Sequence, residues 1–136
     1  MWIRYFAMML VVLSLAVGAW GIALASPEPE QLRQTIRDYI AQQQKLQGAF
    51  AIVDKKNGDV LRELELVRVH ERVGKTGDYY YSCIDTKDVK TGDLLDLDFD
   101  ISDANGSLKV VDIRIHKDNG NPRYTYDAND NMIPTS

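Results

Sequence analysis

Cysteine occurs once in the 136 residues, as Cys83, so no internal disulfide can form and the fold rests on its core alone. Histidine occurs twice, as His70 and His116. They are far apart in sequence, and the close-spaced ligand pairs of a structural zinc site are missing. Positive charge is in deficit, with 16 Lys and Arg against 20 Asp and Glu and a net charge of −4. A chain of that balance is a poor partner for nucleic acid or for an anionic membrane surface. No phosphate-binding glycine loop, dinucleotide glycine pattern or serine elbow occurs. Strand–helix alternation and internal repeats are absent too, which sets aside parallel α/β and solenoid architectures.

Alternation is abundant. Leu95, Leu97, Phe99 and Ile101 interleave with Asp96, Asp98 and Asp100. That is the period of a strand with one face buried and one face wet. Val111, Ile113 and Ile115 interleave in the same way with Asp112, Arg114 and His116, and Asn105-Gly106 between the two runs is a turn signal. A three-residue loop, Ala104-Asn105-Gly106, keeps the apolar residues on one face. It pairs Phe99 with Val111, Leu97 with Ile113 and Leu95 with Ile115. Phe99 is then a position that tolerates no charge, and Asp98 a solvated one that tolerates change.

The remaining elements follow in chain order. Arg4, an uncharged apolar run and Ala23-Leu24-Ala25 over residues 1–25 have the form of a signal peptide cleaved before Ser26. The uncharged run from Tyr5 to Pro27 is also long enough for a membrane anchor. Loss of Arg4 by cleavage moves the net charge from −4 to −5. Residues 26–126 form the α+β domain. Ser26-Pro27-Glu28-Pro29-Glu30 opens a helix, with Leu32, Ile36, Tyr39, Ile40 and Leu46 on one stripe and Gly48 as its stop. Strands follow at Ala49–Asp54, Val60–Val73 and Asp78–Asp85, with a bulge expected where Leu66 and Val67 break phase. Arg123–Tyr126 is a short last strand, and residues 127–136 form a disordered polar tail. The expected fold is one N-terminal helix packed on a curved antiparallel sheet of five or six strands.

The runs Gly77-Asp78-Tyr79-Tyr80-Tyr81-Ser82-Cys83-Ile84-Asp85, Thr91-Gly92 with Asp96-Leu97-Asp98-Phe99, and Ile115-His116-Lys117-Asp118 with Gly120, Pro122, Arg123 and Tyr124 carry a resemblance. It is to a group of small exported bacterial proteins of unknown function, and it covers the last half of the chain. The order of one helix before a sheet is similar to cystatin-like and NTF2-like domains, an analogy of fold that brings no catalytic residue with it.

Candidate chemistry is sparse. Asp127-Ala128-Asn129-Asp130-Asn131 begins like a calcium loop but has Met132 where the turn needs glycine. Asp96, Asp98 and Asp100 are spaced about 7 Å apart on one strand face, wide for one ion. Cys83 with His70 or His116 is the one thiol dyad the chain offers. No metal or cofactor is expected. With a four-residue turn at Gly74–Gly77, Arg68, His70 and Arg72 share an outer face with Tyr79, Tyr81 and Cys83, and Asp96 and Asp98 extend it. There Val67 meets Ile84, and nearby positive charge favours the Cys83 thiolate. This face is the expected binding surface of an exported, non-catalytic binding or accessory module whose partner is an envelope protein. The alternatives are a small-molecule carrier with a pocket between helix and sheet, and a thiol enzyme using Cys83.

Overall fold

The computed structural model describes residues 25–135, so the expected leader over 1–25 lies, but for Ala25, outside the described residues. One helix, α1 (Pro29–Gln47), precedes β1 (Phe50–Asp54), β2 (Val60–Thr76), β3 (Tyr79–Asp88), β4 (Leu94–Ser102), β5 (Lys109–Asp118), β6 (Asn121–Pro122), β7 (Tyr124–Tyr126) and β8 (Met132–Pro134). Strands β1 to β6 form one antiparallel sheet in chain order, and β7 pairs with β8 as a separate hairpin. The helix starts at Glu28 rather than Ser26: the Glu28 N–H donates to Gln31 Oε1 at 2.8 Å. It stops at Gly48, whose φ of 82° is left-handed. Among the described residues no helix is long and apolar enough to cross a membrane.

The α+β architecture follows from two apolar faces that must meet. Leu32, Ile36 and Ile40 on the helix stripe pack on Phe50, Leu64, Ile84, Leu95, Leu97, Phe99 and Ile101 of the sheet, all buried. Tyr39 meets Phe50 and Phe99 edge-on, with ring centroids 6.5 and 6.0 Å apart. Beyond these rings a cleft of about 360 Å³ remains between α1 and β5, lined by Thr35, Asp38, Tyr39, Gln42, Lys109 and Val110, on the side where a helix-side carrier pocket was expected. Ten buried side chains make this core, at roughly 1.5–3 kcal/mol of gross burial for each large aliphatic or aromatic one.

Strand registers differ from expectation, and in β5 one face assignment differs too. Phe99 pairs with Ile113 and Leu97 with Ile115, a shift of two residues, and a bulge between the Asp100–Asp112 and Ile101–Val110 pairs leaves Val111 exposed and turns Val110 inward. The connection is longer than three residues because Ala104–Gly106 is a 3-10 turn flanked by irregular backbone. Strand β2 continues to Thr76, so the turn is the two residues Gly77-Asp78, not four. The bulge expected near Leu66 is present, but Val67 is the residue it ejects, and Val69 meets Ile84. A second irregularity between Val69 and Val73 lets Gly74 face Tyr81. A Cβ at Gly74 would stand 2.3 Å from the Tyr81 ring, so the close approach requires glycine.

The far end of the inner face is closed by ions rather than by apolar side chains. Arg62 reaches Asp88, Asp93 and Asp54, and Arg123 grips Asp54 at 2.7 and 2.9 Å and Asp118 at 3.0 Å. Asp54 is in β1 and Arg123 follows β6, so this bond draws the two sheet edges toward each other.

The tail expected to fray does not. Residues after Tyr126 turn back through Asp127, which accepts from the N–H groups of Asn129 and Asn131, and β8 then pairs with β7. Polar composition here encodes an Asx-stabilised turn, not disorder.

Candidate functional site

Three neighbouring strands present the site. On the face away from α1, β3 offers Tyr81 and Cys83, β4 offers Asp98 and Asp100, and β5 offers Arg114 and His116. Cys83 is the direct cross-strand partner of Asp98, and Asp98 of Arg114. His116 sits in the irregularity between the Leu97–Ile115 and Asp96–Lys117 pairs. An extra strand residue re-aims its side chain, and here it aims the imidazole at Asp98.

This face is not open to water. Hairpin β7–β8 lies over it, and Asp98 is fully buried. The Tyr124 and Tyr126 hydroxyls both donate to Asp98 Oδ2 at 2.6 Å, and the Cys83 thiol donates to Oδ1. His116 Nδ1 stands 3.7 Å from Oδ1. The rings are ordered by stacking: His116 on Tyr124 with centroids 4.8 Å apart, and Tyr81 on Tyr126 at 4.6 Å. Arg114 pairs with Asp100 beside them. The β7–β8 loop is latched by Asp130, which accepts from Arg72 at 2.8 Å and from the Tyr81 hydroxyl at 2.9 Å. Its carbonyl accepts from Thr76 at 2.7 Å.

Burial pushes the Cys83 thiol well above its ordinary value, and the neighbouring Asp98 charge adds to the effect. Burial does the same to Tyr124, Tyr126 and Tyr81. At neutral pH these groups keep their protons and serve as donors. A thiolate at Cys83 is disfavoured, contrary to expectation, because burial and the Asp98 charge outweigh the opposing pull of Arg72, and the positive groups of β2 are paired with other acids. Arg68 and His70 bind Asp85, and Arg72 binds Asp130.

The expected binding residues therefore divide. Tyr79 is exposed, whereas Tyr81 is covered by the chain's own Tyr126. Asp96 keeps a partly exposed pairing with Lys117 at 3.6 Å. Asp98 and Asp100 are buried, which corrects the solvated acidic row, since the hairpin covers them. What does come together is a pocket of about 160 Å³ beside Cys83 and His116. His70, Arg72 and Asp96 line one part of it, and Tyr81, Lys117 and Tyr126 the rest. Sequence reasoning missed Tyr124, Tyr126 and Asp130. It weighed His116 by its spacing from other metal ligands and as one of two dyad partners for Cys83, but did not join it to Asp98, although strand parity puts positions 83, 98 and 116 on one face of three adjacent strands.

Neither a family model nor a curated protein nor a solved structure matches this chain.

Proposed function

We propose that the protein is an exported, non-catalytic binding module that takes a small polar ligand in the pocket beside Cys83 and His116. The pocket is the observation that carries this reading. Side chains of β2, β3, β4, β5 and β7 converge on one small opening, and most of them are polar. Tyr81, expected to be the centre of a protein-docking row, is already engaged by Tyr126, which favours a small ligand over an envelope protein at this face. The geometry of the thiol supports a non-catalytic role. The nucleophile of a thiol enzyme is the thiolate. Burial and the charge of Asp98, to which Cys83 donates, keep this thiol protonated.

Export is supported by Arg4, the apolar run after it and Ala23-Leu24-Ala25. Among the described residues one α-helix precedes the sheet, an order of elements similar to that of cystatin-like and NTF2-like domains. In those terms the ligand lies on the sheet face opposite the helix, where polar side chains of five strands converge, rather than in the cleft between α1 and β5.

Native mass spectrometry of the protein isolated from the cell envelope tests the reading. The folded protein is expected to carry a small species that leaves on denaturation and is missing from a His70→Trp variant, in which the opening is filled. Folded wild type at the bare mass of the chain overturns the binding role. The denatured mass also reports the amino terminus: a chain starting at Ser26 supports export by cleavage, and one starting at Met1 contradicts it.

A further inference from the structure

We propose that Cys83, Asp98 and His116 bind a divalent transition-metal ion of the zinc type. The inference rests on the binding role above and names its ligand. One donor atom from each of the three residues lies within 4.8 Å of the other two. A thiolate, an imidazole and a carboxylate together form a donor set that suits zinc and its close neighbours and not calcium or magnesium. Donors on a tetrahedral ion with bonds of about 2.0–2.3 Å stand roughly 3.3–3.8 Å apart. His116 Nδ1 and Asp98 Oδ1, at 3.7 Å, already meet that spacing. Cys83 Sγ and Asp98, now in hydrogen-bond contact, separate as the ion takes the place of the shared proton.

The surroundings are those of a ligand set held in advance. Metal-binding carboxylates and imidazoles are oriented by outer hydrogen bonds and packing. Asp98 Oδ2 is fixed by two tyrosine hydroxyls, which leaves Oδ1 for the ion. The His116 ring is clamped on Tyr124. Three protein ligands leave a fourth position, and the pocket beside Cys83 and His116 supplies both the route in and the room for a water there. The charges balance: one thiolate and one carboxylate neutralise a divalent ion in a buried setting. On binding, the sulfur–metal bond forms, the S–H bond breaks and its proton leaves to solvent.

Cobalt(II) added to the reduced, metal-free full chain tests this. The expected result is a thiolate-to-cobalt charge-transfer band in the near ultraviolet that saturates at one ion per chain, is displaced by zinc and accompanies release of a proton. Cys83→Ser, close in size and folded by circular dichroism, should abolish the band. Tyr126→Phe keeps all three ligands and should weaken cobalt binding about 10–100-fold. A folded wild type that gives no band, or a Cys83→Ser variant that binds cobalt as tightly as wild type, overturns the proposal. If an organic species is found by native mass spectrometry and cobalt does not bind, the metal inference fails and the binding role stands. If neither binds, both fail.

Discussion

Asp98→Ala is expected to destabilise the metal-free protein by about 3–5 kcal/mol, in the range of a large core deletion. The substitution strands three donors at once: the hydroxyls of Tyr124 and Tyr126 and the thiol of Cys83. Each unsatisfied buried hydroxyl costs about 1–3 kcal/mol, and the emptied volume adds to that. Asp96→Ala, two positions away on the same strand, should cost less than about 1 kcal/mol, because its partner is one half-exposed lysine at 3.6 Å. Urea melts of the two variants measure the contrast. Equal losses would mean that the hairpin does not cover this face.

The second large effect concerns the ion cluster at the other end of the sheet. Arg123→Gln is expected to cost about 3–5 kcal/mol at neutral pH, since it leaves Asp54 buried with only the more distant Arg62 as a charged partner. The pH dependence carries a sign. The Arg123 guanidinium holds the Asp54 carboxyl down at about 2. The unfolded chain has it near the ordinary value of about 3.9. A depressed folded-state value stabilises the protein above that ordinary value, and the contribution disappears as the pH falls from about 4 through about 2. For a gap of this size it amounts to about 2–3 kcal/mol. Stability from pH 7 down to 2 should therefore fall along an acid limb that is shallower in Arg123→Gln, where Asp88 and Asp93, also held low, keep part of it. Superimposable acid limbs would remove the Arg123–Asp54 bond from the account.

These two predictions separate what periodicity could reveal from what it could not. Alternation from Leu95 to Ile101 identifies two faces, and the apolar one is buried as expected. It carries no information about what covers the other face. Asp96, Asp98 and Asp100 look identical in sequence, and the difference between them is made by two tyrosines more than 20 residues away. Register was lost for a related reason. Parity arguments do not detect a shift by two, which the irregular turn after Ser102 absorbs, nor a bulge, which puts Val110 rather than Val111 on the inner face. In β2 the pattern misleads outright. Arg62 is buried and Leu61 exposed, because the carboxylates of Asp54, Asp88 and Asp93 meet the guanidinium inside. Those partners lie far enough apart in sequence that no local motif links them. The tail was misread by composition. Asp127 and Asp130 are polar residues with assigned partners, one closing a turn and the other binding Arg72 and Tyr81.

Hairpin β7–β8 closes the outer sheet face by hydrogen-bonding to Asp98. A double-mutant cycle between Asp98→Ala and Tyr126→Phe, read as urea stability in the metal-free protein, measures that bond directly. The expected coupling is about 1–3 kcal/mol, with the double variant less destabilised than the sum of the two single ones. Additivity within about 0.3 kcal/mol would contradict the claim, because the two side chains would then not be in contact.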